Sequence, residues 1–395
     1  MTTAERLDKR IVLLIAFACG TTIANIYYAQ PLLDEIGDEF GVGTATVGLL
    51  MTASQIGYAI GVALLAPLGD LLERRRLTVQ MLAGCAVALA LTAVAPDFTI
   101  LAAALLIVGV TSAVAQVLVP MAASLAAEEE RGRVVGIVMS GLLIGILLAR
   151  TVSGLLAELG GWRLPYIVAT ALALALVVAI RKLLPASRAS IDLDYRGLLW
   201  SVPRLVREEP VLRRRMIYGA SNSICFFLVW TALTFLLTDT YGYGEATIGL
   251  FGLFGVVGAA SAQLAGRSAD RGWLNRSTFV FASLMLLGWG VLAFGESSIV
   301  AIIIGLIVLD FAMQGMHISN QTAIYALRPD ARGRMTTAYM VTNFTCAALA
   351  SAAAAIAYET GGWTAVVVLG ALVAAINVGN WVQERFSQRT AAATS

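Results

Sequence analysis

The chain has 395 residues, of which 59% are hydrophobic and only 13% charged, with a mean hydropathy of +0.82. That composition excludes a soluble globular domain, and a formal net charge of +2 supplies no case for nucleic acid as a partner. It predicts an all-α membrane protein that crosses the bilayer many times.

Apolar runs of about 20 residues, enough to span roughly 30 Å of hydrocarbon as helix, recur in chain order. They fall at 11–33, 45–68, 77–95, 98–126, 134–157, 164–181, 215–238, 246–266, 277–294, 298–327, 334–357 and 362–383. Twelve transmembrane helices are therefore expected, the first an uncleaved span in which TIANIYYAQPLL carries on as helix. An outer-membrane barrel would instead show alternating segments of about ten residues. Of the 27 Lys and Arg residues, 25 lie at the termini, in the loops after even-numbered spans or in the central linker. Basic residues are retained on the cytoplasmic side, so both termini are expected there, in a bacterial inner membrane. The four cysteines fall within spans, where a thiol behaves as a small apolar group.

The two halves repeat. Gly43–Leu50, GTATVGLL, returns as GEATIGLF at Gly244–Phe251, an offset of 201 residues. The same offset relates Arg131-Gly132-Arg133 to Arg332-Gly333-Arg334, and Gly160-Gly161-Trp162 to Gly361-Gly362-Trp363. Two six-helix pseudo-symmetric bundles, 1–181 and 215–395, are expected about a cytoplasmic linker at 182–214, with an amphipathic surface helix near Tyr195 to Val206. Duplicated bundles of this kind suit alternating access, a central cavity opened to one side and then the other.

After the second span, Ala66 to Arg75 reads APLGDLLERR, and after the eighth, GRSADRG runs from Gly266 to Gly272. These residues resemble the signature G-x-L-A-D-R-x-G-R-R of the major facilitator superfamily, through Asp70, Arg74 and Arg75 in the first half and Asp270 and Arg271 in the second. The resemblance implies a cytoplasmic gate in which these charges, with Arg131, Arg133, Arg332 and Arg334, tie helix ends in one conformation and release them in the other; topology markers are the plainer reading. ANIYYAQPLL, GILLARTVSG and QGMHISNQ are similar to the twelve-span drug:proton antiporter type, the acriflavine-sensitivity subgroup in particular. That likeness implies proton-coupled export. Against the type's motifs, Val108 stands where an arginine would, and Ala149-Arg150 where a Gly-Pro pair would.

A charge near the bilayer centre costs about 2.5–3.5 kcal/mol on insertion scales and is paired or functional. Arg150 and Asp310 are the embedded ones, about 12 Å and 18 Å deep along their helices, compatible with pairing across the halves. Gln314, His317 and Gln321 share a face of the tenth span with Asp310, and Asn320 neighbours them. These residues are the candidates for substrate binding and proton coupling, interhelical hydrogen bonding being the bland alternative. Further cavity-lining candidates are Asn25, Tyr27, Tyr28 and Gln30 in the first span, Gln55 and Tyr58 in the second, Gln116 in the fourth, Gln263 in the eighth, and Tyr339 and Asn343 in the eleventh.

His317 is the chain's one histidine, which rules out multi-histidine metal sites and a histidine relay. The lysines, Lys9 and Lys182, follow no phosphate-cradling glycine loop, so ATP is not the direct energy source. No cofactor is expected, and the proton gradient is the expected energy source. A membrane enzyme lacks its catalytic cluster; a non-transporting sensor on the same fold stays open. The expected protein is a monomeric secondary transporter of small organic or amphipathic molecules in the lipid bilayer. In one reading Asp310 carries the coupling proton and Arg150 tunes it; in the other Arg150 contacts an organic anion directly.

Overall fold

The structure, a computed structural model, describes residues 8–127, 130–187, 194–271, 273–328 and 331–394, with side chains for all of these but 259, 260, 262, 263, 266, 269, 270 and 384–394. The expectations for the Gln263 and Asp270 side chains therefore lie outside the described residues. Among the described residues the fold is helical throughout, with no β-strand.

In chain order the α-helices are α1 (Lys9–Ala24), α2 (Leu33–Phe40), α3 (Thr44–Ile60), α4 (Arg74–Ala93), α5 (Phe98–Thr111), α6 (Ala115–Leu125), α7 (Arg131–Gly160) and α8 (Arg163–Leu183). There follow α9 (Tyr195–Glu208), α10 (Pro210–Tyr241), α11 (Glu245–Leu250), α12 (Val257–Asp270), α13 (Leu274–Leu292), α14 (Ile299–Tyr325) and α15 (Arg332–Thr394). Local chemistry starts several of them. The carboxylates of Glu73 and Asp97 accept the first free N–H groups of α4 and α5, and the Ser298 hydroxyl does so for α14. The amphipathic surface helix is present as α9, with Leu198 and Leu205 buried and Trp200 72% exposed.

Among the described residues, eight stretches are helical, long and apolar enough to cross a membrane by length and composition. Leu13, Phe17, Val87, Leu159 and Leu372 stand exposed on these and neighbouring helices, an apolar surface that hydrocarbon covers and water does not. Four expected spans are not continuous α-helix. The first stops at Ala24 instead of carrying on through Leu33, because Pro31 has no N–H and its ring conflicts with the carbonyl four residues earlier. The chain continues in tighter steps, with the N–H groups of Tyr27, Gln30 and Leu32 donating to the carbonyls of Ala24, Tyr27 and Ala29. The fourth span turns at 112–114 between α5 and α6. The eighth passes from α11 through a 3₁₀ segment, Phe251–Val256, into α12. There Gly249, Gly252, Gly255 and Gly258 recur every third residue, the period of a 3₁₀ turn, and glycine costs an α-helix about 1 kcal/mol each. The second span likewise ends in a π turn, Gly61–Leu65, and a 3₁₀ turn, Ala66–Asp70.

Grouped by packing, the chain forms two compact units: Met1–Arg204 with Tyr243–Gly252, and Leu205–Gly242 with Leu253–Ser395. Tyr243–Gly252, which the sequence repeat counts with the second half, packs with the first.

The repeated Gly-Gly-Trp adopts the same backbone in each half. Gly161 ends α7 with φ 74° and ψ 172°, and Gly362 divides α15 into 332–361 and 363–394 with φ 63° and ψ −162°. Both lie in a region open only to glycine. Trp162 and Trp363 follow, each 1% exposed. Gly161→Ala and Gly362→Ala should each destabilise the protein by about 1–3 kcal/mol, read as a drop in melting temperature of purified protein. An alanine variant melting with the wild type would refute the assigned backbone.

Candidate functional site

Breaking the first helix at Pro31 leaves carbonyls that need donors. The Tyr28 carbonyl cannot receive an N–H from Pro31, and Leu32 donates to Ala29 instead; Ser153 of α7 donates its hydroxyl to Tyr28 at 2.8 Å. The Ile26 carbonyl, bypassed by the Gln30 N–H, accepts from Gln55 Nε2 of α3 at 3.4 Å. The break also turns the Gln30 side chain to Arg150, whose Nε donates to Gln30 Oε1 in a short hydrogen bond. The guanidinium carbon lies 5.1 Å from the centre of the Tyr27 ring, so a cation–π contact holds the other side. Arg150 is 4% exposed.

Backbones crowd around this arginine. A Cβ on Gly154 would strike the Glu245 carbonyl of α11, and one on Gly249 would strike the carbonyl of Arg150 itself. Thr151 donates its hydroxyl to the Gly249 carbonyl at 2.9 Å. One face of GILLARTVSG is thus a contact surface: Gly145 meets Gly20 of α1, Ser153 serves the broken helix, and Thr151 and Gly154 hold α11, while Leu148 and Val152 stand exposed on the other.

The remaining first-half candidates are buried, Gln116 only partly, and mostly engaged. Asn25 donates to Cys85 Sγ at 3.3 Å and to Ser112 Oγ at 3.5 Å, and Gln116 donates to the Tyr58 hydroxyl at 3.4 Å. Tyr28 meets Tyr166 edge to face, 6.4 Å between centroids. Near the same end of the unit, Trp162 donates its backbone N–H to Glu35 Oε1 at 3.1 Å and its indole N–H to Glu39 Oε2 at 2.6 Å, while Arg163 pairs with Glu39 at 2.6 Å. Arg163 holds the Glu39 carboxyl below the usual carboxylate range, chiefly by that hydrogen bond. Burial pushes Glu35 the other way, opposed by the Trp162 N–H and reinforced by the nearby Glu245 and Glu39 charges.

The second unit assembles a different cluster. Asp310, 7% exposed, shares its face of α14 with the half-buried Gln314, His317 and Gln321. His317 Nδ1 lies 3.2 Å from the Tyr339 hydroxyl, which accepts from Asn320 Nδ2 at 3.4 Å. Asn343, its amide nitrogen turned to the backbone, donates to the carbonyls of Tyr339 and Gly219. The network ends on a residue that sequence reading counted among the loop charges: Arg215, 5% exposed near the start of α10, donates to Thr278 at 3.0 Å and to Asn320 at 3.4 Å. Its basic neighbours Arg213 and Arg214 hid it. The available signal was the helical stripe Arg215, Tyr218, Asn222, all buried.

Of the expected gate charges, Arg74 is buried, donating to the Gly69 carbonyl and Ser124 and pairing with Asp70 at 3.2 Å. Arg75 donates to the Leu184 carbonyl at 3.1 Å. Arg131 and Arg332 play one part in both halves, each donating Nε to a carbonyl near the end of the preceding helix, Ala123 and Tyr325. Arg271 lies over the Trp273 ring, and Arg133 is exposed. Among the described residues no group of His, Cys, Asp or Glu is arranged to hold a metal ion.

A family profile described as the Major Facilitator Superfamily matches residues 12–351. The chain is 43% identical over 378 residues to the uncharacterized transporter YgaY of Escherichia coli O157:H7, covering 95% of this chain and 96% of that one. It is 37% identical over 356 residues to the "Probable transporter SCO4007" of Streptomyces coelicolor, covering 89% and 82%. Among solved structures, a bacterial homolog to the human lysosomal transporter Spinster, inward-facing and occupied, matches with a TM-score of 0.76 over 95% of this chain and 96% of that one, at 14% identity. At that identity the likeness concerns the fold.

Glu35 supplies a pH test of the acidic end. Its second oxygen is buried with no hydrogen-bond partner among the described residues. With its pKa raised on folding, the native state takes up the proton first, so stability falls as pH rises from the ordinary glutamate value of about 4.3 through the raised one. Glu35→Gln should melt higher than wild type at pH 7 and converge with it in acid. The opposite order at pH 7 would refute the burial.

Proposed function

The chain belongs to the Major Facilitator Superfamily, a multi-pass membrane transporter and not an enzyme, and on that premise we propose that it exports small organic, amphipathic compounds in exchange for protons. The reading places it as a monomer in a bacterial inner membrane with both termini cytoplasmic, working by alternating access. One observation carries it: Asp310, buried in the middle of an apolar helix. A carboxylate there bears a burial cost that protonation removes, so a protonation step and a change of surroundings are thermodynamically linked. A gradient across the membrane supplies protons without any cofactor.

A second reading is favoured by the packing of Arg150. Gln30 and Tyr27 hold a guanidinium that stays charged at every accessible pH, the property needed to recognise a carboxylate or phosphate on an organic anion.

Two variants separate the readings in proteoliposomes under an imposed pH gradient, with ethidium, chloramphenicol and fluorescein as cationic, neutral and anionic cargo. Asp310→Asn should abolish proton-driven accumulation of every cargo while leaving exchange at equal pH. Under the first reading Arg150→Ala impairs coupling for all cargo alike. Under the second it weakens only fluorescein, by about tenfold or more, as loss of a charged hydrogen bond of about 1.5–3 kcal/mol requires. Proton-driven accumulation that survives Asp310→Asn would refute proton carriage by this residue.

A further inference from the structure

The bond between His317 and Tyr339 has two possible directions, and the groups behind Tyr339 choose one. Arg215 carries only donors, so the atom of Asn320 that faces it at 3.4 Å is Oδ1. The guanidinium is anchored there by Thr278, whose own hydroxyl donates to the Leu274 carbonyl at 2.8 Å and so accepts from Arg215. Fixing Oδ1 turns Asn320 Nδ2 toward the Tyr339 hydroxyl, and an amide nitrogen can only donate. The hydroxyl accepts from Asn320, and among the described residues its single proton has no acceptor other than His317 Nδ1; since Tyr339 is fully buried, the direction that leaves no donor unmet is the one in which Nδ1 accepts. Every link therefore points the same way, from a permanent cation to the imidazole.

An imidazole that accepts at Nδ1 keeps its proton on Nε2. Among the described residues Nε2 has no hydrogen-bond partner, and the ring is half-buried on the face of α14 that carries Asp310 and Gln314. Tyr339 is itself immobilised: its ring packs where a side chain on Gly219 would stand, and Asn343 binds its backbone carbonyl. We propose that His317 is a specificity-determining residue that presents Nε2–H as a hydrogen-bond donor to an acceptor oxygen of the cargo, with Arg215, Asn320 and Tyr339 as positioning residues that hold its tautomer. The proposal rests on the reading of the chain as a small-molecule exporter. It assigns His317 to recognition and leaves the coupling proton to Asp310.

With one histidine in the chain, ¹⁵N-histidine labelling of protein carrying a histidine-free tag gives one unambiguous pair of ring-nitrogen signals. Wild type without cargo should show Nε2 protonated and Nδ1 bare. Tyr339→Phe removes the donor and Arg215→Gln lets the amide chain reverse, so each should yield a mixture of tautomers. A wild-type spectrum with Nδ1 protonated, or a Tyr339→Phe spectrum identical to wild type, overturns the proposal. Transport then tests recognition. His317→Leu should raise the KM for chloramphenicol, which carries acceptor oxygens, about fivefold, as loss of one hydrogen bond requires, with kcat retained and ethidium unaffected. His317→Gln, which keeps a donor near the Nε2 position, should restore the KM. An equal fall in kcat for both probes overturns recognition and leaves His317 a structural contact. Wild type moving neither probe would tell against the export reading alone, because the nitrogen spectrum decides the tautomer without cargo.

Discussion

The first-half site depends on one missing N–H. Pro31 cannot continue the helix that begins at Lys9; the Tyr28 carbonyl left without a donor accepts from Ser153, and the Ile26 carbonyl, passed over by the Gln30 N–H in the tightened chain, accepts from Gln55. Those bonds fix α3 and α7 against the break, and the turned chain aims Gln30 and Tyr27 at Arg150. A guanidinium 4% exposed in an apolar helix is tolerable only with such partners. Break and charge require each other.

The sequence repeat makes this a controlled comparison within one chain. At the offset of 201 residues, Pro31 corresponds to Ala232, and α10 runs from Pro210 to Tyr241 without interruption. Gln30 and Arg150 correspond to Thr231 and Ser351, which are also buried and hydrogen-bonded to each other at 3.5 Å. Ser153 corresponds to Ala354 and Tyr28 to Val229, so no hydroxyl is supplied where no carbonyl is stranded. The position is a polar helix–helix contact in both halves. Where the helix is intact the contact is neutral, and where it is broken it carries charge.

Much of this was legible in the sequence, and the failures have a common cause. Length and hydropathy place α4, α7, α8, α10 and α14 because a long apolar run bounded by polar caps has few other solutions. The same measure passes straight over the breaks after Ala24 and around Phe251, since it weighs side chains while the backbone decides: a proline in one case, a glycine at every third residue in the other. Arg150 and Asp310 stood out as charges in apolar surroundings. Arg215 did not, because at the mouth of a span it reads as the third residue of a basic run, and only the register of α10 turns it inward. Gln55, Tyr58 and Gln116 were legible as polar residues in spans, yet their type says nothing about what receives them; in the structure Gln116 bonds Tyr58 of a neighbouring helix, and Gln55 bonds the broken stretch of the first span.

The halves also show which part of a duplicated frame is free to diverge. Arg131 and Arg332 each donate to a carbonyl of the preceding helix, and both Gly-Gly-Trp turns share a backbone that glycine alone adopts. These contacts fix helix ends, and a change there disturbs every residue beyond. The tryptophan that follows is less bound: Trp162 donates its indole N–H to the Glu39 carboxylate, whereas Trp363 donates to the Leu292 carbonyl. Deeper in the bundles single positions diverge further, for Asp310 corresponds to Gly109, packed against the Ser54 carbonyl, and Arg215 to Leu14. Repetition therefore maintains the frame through backbone geometry, and chemistry enters at single positions: Asp310 stands in an unbroken helix where the other copy has a packed glycine, whereas Arg150 comes with the break at Pro31. The acid of one copy thus sits in a standing helix, and the fixed cation of the other stands against an opened one.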